Sequence, residues 1–129
     1  MERKLIRTAA LLGMIAIILG AFGAHALKER LTIEQLGTFE TGVRYQMYHA
    51  LMLLFVGLSQ NGIAEKTKKG ILYLAVWGVL LFSGSIYILA TKNITGLDIT
   101  AVGMITPVGG FLLIISWFWL FISFMQKKS

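Results

Sequence analysis

Four stretches of this chain contain no Asp, Glu, Lys or Arg: Thr8–Leu27, Tyr45–Ala64, Gly70–Thr91 and Ile99–Gln126, of 20, 20, 22 and 28 residues. An α-helix rises about 1.5 Å per residue, so 20 residues reach about 30 Å, the thickness of a bilayer's hydrocarbon core. Isolated strands would leave backbone groups unpaired in lipid, and the runs are too long for barrel strands. The sequence predicts an all-α, polytopic membrane protein: one domain over residues 1–129, with four transmembrane helices at about 6–27, 45–63, 70–91 and 102–125. Composition agrees, because only 14% of residues are charged against about a quarter in soluble domains. Cysteine is absent, which excludes disulfides, thiolate catalysis and Cys-ligated metals.

Basic residues give the direction. With four crossings, Arg3, Lys4, Arg7, Lys66, Lys68, Lys69, Lys127 and Lys128 share one side, and Lys28, Arg30, Arg44 and Lys92 share the other. Positive charge marks the cytoplasmic face, so both termini are expected inside the cell. The same asymmetry accounts for the net charge of +6 through contact with the lipid bilayer, without nucleic acid as a partner. A basic start, an apolar stretch and Gly23-Ala24-His25-Ala26 mimic a cleaved secretory signal. The apolar stretch exceeds the roughly 7–15 residues of a signal core, which predicts a retained helix.

Lys28–Arg44 is the one long connection. Thr32-Ile33-Glu34-Gln35 fits a capping box, and Leu36, Phe39, Val43 and Met47 form a helical apolar stripe. These features predict a short amphipathic helix at about 33–44, lying on the outer surface or over the bundle and running into the second span, with a bend at Gly37 or Gly42. Small residues at Ala9/Gly13 and Ala16/Gly20/Ala24, and at Gly109, Ser116 and Ser123, are read as helix-packing faces. Whether their partner lies in this chain or in another subunit stays open.

Polar residues inside the spans are not scattered. His25 closes the first; Tyr45, Gln46, Tyr48 and His49 open the second; Ser83, Ser85 and Tyr87 lie late in the third; Thr106 and Pro107 lie early in the fourth. All fall in the outer half of the expected bilayer. A structural hydrogen-bond core is the plainer reading, since polar groups in hydrocarbon must find partners. The functional alternative is an outward-open ligand pocket of His25, Tyr45, Gln46, His49, Ser83, Ser85, Tyr87 and Thr106, with the two histidines as titratable members. Two histidines plus Glu40 or Asp98 lack metal-ligand spacing, so neither a metal nor another cofactor is expected. Pro107 either breaks the fourth helix or begins it after an outer loop at 99–106, the slightly favoured reading. Tyr73, Trp77, Trp117 and Trp119 are read as an interfacial aromatic belt.

Gly20-Ala-Phe-Gly-Ala-His-Ala-Leu27, Tyr45-Gln-Met-Tyr-His-Ala-Leu51, Leu81-Phe-Ser-Gly-Ser-Ile-Tyr87 and Thr106-Pro-Val-Gly-Gly110 resemble the hallmark segments of the DUF423 family. This is the UPF0382 group of small bacterial membrane proteins, to which eukaryotic transmembrane protein 256 is similar. The resemblance implies a four-helix inner-membrane protein and carries over no catalytic residue. The leading expectation is a non-enzymatic membrane subunit that self-associates or joins a larger membrane complex. The alternatives are a small proton or solute transporter or channel acting as an oligomer, and a lipid- or quinone-binding protein. No triad order or carboxylate partner supports Tyr45, His49 and Ser85 as catalytic groups.

Overall fold

The computed structural model describes residues 1–96 and 101–125. Asp98, Ile99, Gln126, Lys127 and Lys128, used above for the outer turn, the bounds of the fourth run and the inner basic count, lie outside the described residues. Helix α1 (Glu2–Phe22) continues into a π turn (Gly23–Leu27); α2 (Ile33–Leu58) and α3 (Glu65–Ala90) follow, then a single turn α4 (Lys92–Thr95) and α5 (Val102–Met125). No strand occurs among the described residues.

Glycine contacts set the register. A methyl group built on Gly23 would lie 3.0 Å from Phe39, one on Gly20 3.4 Å from Val43, and one on Gly57 3.1 Å from Leu5 Cβ. Helix α2 therefore runs antiparallel to α1 along its whole length. A methyl on Gly42 would lie 2.7 Å from the Tyr87 ring, while methyls on Gly78 and Gly109 would strike Leu113 and the Phe82 backbone. The order of neighbours is thus α1–α2–α3–α5, each antiparallel to the next, and the row is curved enough that α1 also meets α3, through Glu2 and Lys68, and α2 meets α5, through His49 and Trp117. Its apolar interior gathers Leu5, Leu53, Val56, Ile71 and Ala75 at one end and Leu27, Leu31, Phe39 and Ala90 at the other.

Three expectations need correction. First, three helices rather than four are long and apolar enough by themselves to cross a membrane: Glu2–Leu27, Glu65–Ala90 and Val102–Met125. Helix α2 has the length but carries Glu34, Glu40, Arg44, Gln46 and His49. Second, the helix at 33–44 is not a separate short one: it is the first part of α2, Ile33–Leu58. The capping box forms as expected, Thr32 Oγ1 accepting from Gln35 N–H and Gln35 Oε1 from Thr32 N–H. The helix it opens then runs for 26 residues, and the space at Gly42 is taken by the Tyr87 ring. Third, α5 begins at Val102, not Pro107, which lies within the helix and removes the backbone bond to the Gly103 carbonyl.

Candidate functional site

Every adjacent pair of helices is joined by a polar bridge, and the predicted cluster supplies most of them. Gln46 is buried midway along α2. Its amide nitrogen donates to the Leu12 carbonyl of α1 at 2.8 Å, and its amide oxygen accepts from the Tyr87 hydroxyl of α3 at 2.7 Å. Ser83 Oγ donates to the Gly42 carbonyl at 2.7 Å, a second α2–α3 link. Ser85 and Thr106 hydroxyls meet across α3 and α5. His49 joins α2 to α5, its Nε2 accepting from the Trp117 indole N–H at 3.0 Å. Indole nitrogen can only donate, so the His49 proton sits on Nδ1, which donates to the Tyr45 carbonyl at 2.6 Å. The imidazole is neutral, with both nitrogens engaged.

The structure brings Gln46, Tyr87, Ser83, Ser85, Thr106 and His49 into these bridges but does not merge them into one chamber. Tyr45 is 40% exposed, with its ring against Phe82 and Tyr48 at 5.0 and 5.5 Å between centroids. His25 lies in the π turn and is exposed. The four-residue spacing that put Tyr45 and His49 on one face holds, but α2 starts twelve residues before Tyr45, which sets both residues mid-helix rather than at an entrance.

Of the predicted packing residues, Gly109 and Ser116 are buried, and Gly13 and Gly20 abut α2. Ala24 faces outward. Gly42, Gly57, Gly70 and Gly78 pack as closely; Gly57 stands seven residues from Ala50 and Ala64, and Gly78 seven from Ser85, a spacing that could have found both. Trp117 was read as a belt residue; its partner is 68 positions away, and no local pattern signals it.

Lys68 was counted only as an inner basic residue, yet it is 1% exposed. Its ammonium donates to Glu2 Oε1 at 3.2 Å, lies 3.9 Å from Glu65 Oε1, and reaches the carbonyl of Gln60. Gln60 holds a left-handed backbone, φ +52°, so Lys68 pins both the chain's start and a strained turn. Nearby, Lys4 Nζ donates to the Tyr73 hydroxyl at 3.1 Å.

Among the described residues, no buried side-chain nitrogen or oxygen lacks a partner, and no group of three or more His, Cys, Asp or Glu side chains converges. The arrangement's chemistry is hydrogen bonding between helices. A groove between α2 and α5, floored by Phe82 and bounded by Tyr45, His49, Leu113, Ile114 and Trp117, encloses about 320 Å³.

The family model described as "protein of unknown function (DUF423)" matches residues 19–110, a segment that holds Gln46, His49, Ser83, Ser85, Tyr87 and Thr106. The UPF0382 membrane protein YwdK of Bacillus subtilis is 44% identical over 111 residues, 84% of this chain and 85% of the relative. A UPF0382 membrane protein of Staphylococcus saprophyticus is 41% identical over 113 residues, 88% of this chain and 89% of the relative. The UPF0382 inner membrane protein YgdD of Escherichia coli is 32% identical over 128 residues, 98% of this chain and 93% of the relative. No solved structure is a significant match. The chain is an integral membrane protein and belongs to the DUF423 (UPF0382) family.

Proposed function

We propose that this protein is a non-catalytic, four-crossing subunit of the bacterial inner membrane, with both termini in the cytosol, that assembles with its own copies or into a larger membrane complex. The fourth crossing is α2. It stands antiparallel and in register between α1 and α3, from Gly23–Phe39 at one end to Leu5–Gly57 at the other. A helix held side by side with two spanning helices has to cross with them. Its polar residues do not forbid this, because Gln46 and His49 turn inward to partners on α1, α3 and α5.

The observation that carries the non-catalytic reading is that the cluster's buried polar groups are spent on helix-to-helix bonds. The motif faces of α1 and α5 are spent inside the chain too. Contacts with another subunit therefore fall to the outward faces of α1 (Met14, Ile17, Ile18) and α5 (Phe111, Phe118, Phe121), all exposed.

The cysteine-free background allows a direct test with single introduced cysteines. Glu29→Cys should react with a membrane-impermeant thiol reagent in intact cells, and Lys66→Cys only after permeabilisation; reaction of both from one side refutes the crossing of α2. Ile18→Cys and Phe118→Cys should give disulfide- or linker-bridged products in cells, and monomer alone at both positions refutes assembly. Lipid binding is the second reading with a specific feature behind it, the groove beside His49.

A further inference from the structure

Helices α1 and α3 each pack against α2 and run parallel to one another. Glu2 meets Lys68 and Lys4 meets Tyr73 at one end; eight residues beyond Lys4, Leu12 begins a groove that α1 shares with α3. Its walls are Leu12, Ile15 and Leu19 of α1 and Leu80, Gly84 and Tyr87 of α3, with Gln46 of α2 between them. Gln46 and Tyr87 are hydrogen-bonded to each other, so the groove, of about 250 Å³, presents hydrocarbon. Gly84 keeps it open: a methyl group built there would meet nothing within 4 Å. The other glycines of α3, Gly70 and Gly78, are filled by Trp119 and Leu113 of α5. The space at Gly84 is taken by no described residue.

The entrance to this seam is cationic. Lys4 Nζ donates to the Tyr73 hydroxyl at 3.1 Å and lies 5.2 Å from the centre of its ring. Lys69 stands one turn before Tyr73 on the same face of α3, and its charge bears on the same hydroxyl. All three side chains are exposed. The carboxylates at this end, Glu2 and Glu65, lie against Lys68, and among the described residues neither Lys4 nor Lys69 has an ion pair. An ammonium has three donors; Lys4 gives one to Tyr73, whose own O–H remains to donate. Two cations and a phenol thus stand together with no anion among them, a set that suits the oxygens of a phosphate. From Lys4 to Leu12 and Ile15 is about 12–16 Å along the helix, half of a hydrocarbon core roughly 30 Å thick. That is the reach of one leaflet's acyl chain.

We propose that the α1/α3 seam binds a phospholipid of net negative charge from the leaflet on the N-terminal side: its phosphate lies among Lys4, Lys69 and Tyr73, and one acyl chain runs into the groove at Gly84. A zwitterionic phospholipid brings a cation of its own, for which the seam has no free carboxylate. Under the topology proposed above this is the cytoplasmic leaflet. The site itself needs only α1 and α3 to span, and it is separate from the groove beside His49. The test is native mass spectrometry of the full chain released from detergent containing equimolar phosphatidylglycerol and phosphatidylethanolamine of identical acyl chains. The wild type should retain phosphatidylglycerol about twenty-five-fold over phosphatidylethanolamine, roughly fivefold for each lysine. Lys4→Gln and Lys69→Gln should each lower that ratio about fivefold, and the double variant should bring it to about one. Arg3→Gln/Arg7→Gln removes two charges from the same end of α1, but from faces turned about 100° or more from the seam, and should hold the ratio within about twofold. Gly84→Leu should lower retention of both lipids by a common factor and leave the ratio unchanged. Equal retention by the wild type overturns the proposal, as does a preference that survives loss of both lysines or falls as far in Arg3→Gln/Arg7→Gln. A Gly84→Leu variant that binds like the wild type overturns the acyl-chain contact. If that variant does not fold, as read by circular dichroism, the exposed lysines decide alone. Cysteine labelling at Glu29 and Lys66 reads the topology separately: a crossing α2 with no lipid preference removes the site and leaves the topology standing.

Discussion

Gly109→Ala should unseat α5 from α3. A methyl group on Gly109 would lie 2.3 Å from the Phe82 backbone nitrogen and 2.7 Å from the Leu81 carbonyl carbon. Ordinary contact for a Cβ begins at 3.4 Å, so α5 must back away by about 1 Å. These are backbone atoms of a packed helix and cannot turn aside as a side chain can. Overpacking that forces such a shift costs about 1–3 kcal/mol, while alanine's better helix propensity returns about 0.5–1 kcal/mol. The net expectation is a loss of up to about 2.5 kcal/mol, enlarged if the Ser85–Thr106 contact opens as the helices part. Gly84→Ala, in α3 with nothing within 4 Å of its new methyl, is the matched control and should gain about 0.5–1 kcal/mol. Reversible unfolding in a detergent titration, followed by circular dichroism, measures both. If Gly109→Ala is as stable as Gly84→Ala, the close approach of α5 to α3 and the register built on it are wrong.

Gln46→Leu removes the acceptor 2.7 Å from the Tyr87 hydroxyl and should cost about 1–2 kcal/mol in the same titration, part of it recovered in Gln46→Leu/Tyr87→Phe, where that hydroxyl is gone. His49→Phe and Trp117→Phe should each be destabilising, and a double-mutant cycle should give a coupling of about 0.6 kcal/mol, typical of a hydrogen bond between helices in a membrane; zero coupling would mean that the bridge does not form. Gln60→Gly should stabilise by about 0.4–1 kcal/mol because the left-handed backbone at φ +52° suits glycine and the carbonyl that meets Lys68 is kept. Lys68→Met should speed amide exchange and protease cleavage at residues 1–5, since Glu2 loses the ammonium that anchors it; unchanged protection would show that apolar packing of Leu5 alone holds the N-terminus.

Charge-free runs report which lengths lipid tolerates, whereas helices end where backbone and caps allow. The first and third runs end where their helical stretches end, at Leu27 and about Ala90, but those helices begin six and five residues earlier, at Glu2 and Glu65. The second begins at Tyr45 only because Arg44 precedes it, yet the capping box at Thr32 starts α2 twelve residues earlier and nothing between the two stops it. Gly37 and Gly42 look like bends in isolation. At Gly42 the space left by the missing side chain is filled by a ring 45 residues away, a contact that periodicity cannot see. The polar cluster was legible as a set, since such residues in hydrocarbon must pair, but the pairing was not. Trp117 belongs with His49, Lys68 with Glu2, and His25 with neither, because the π turn rotates it outward.

The bridges share a construction that explains why glycines and polar residues occur together in this chain's motifs. Lipid tails are as apolar as leucine, so burying an apolar face gives helices in a membrane little reason to choose one neighbour or register. Close approach and hydrogen bonds must supply that choice. Gly42 supplies both: its missing side chain admits the Tyr87 ring, and its bare carbonyl accepts Ser83 Oγ. Leu12, whose carbonyl receives Gln46, is followed by Gly13, against which α2 packs. The Ser85–Thr106 contact lies one turn from Gly109, where α3 and α5 come closest. In each case a glycine brings two backbones together and a polar side chain then fixes the register, since a slip of one residue would leave a donor or acceptor unpaired in a medium without water. A side chain engaged in this way is not free to bind or react, so contacts with lipid or a partner fall to side chains on the outside of the helices, such as the outward faces of α1 and α5.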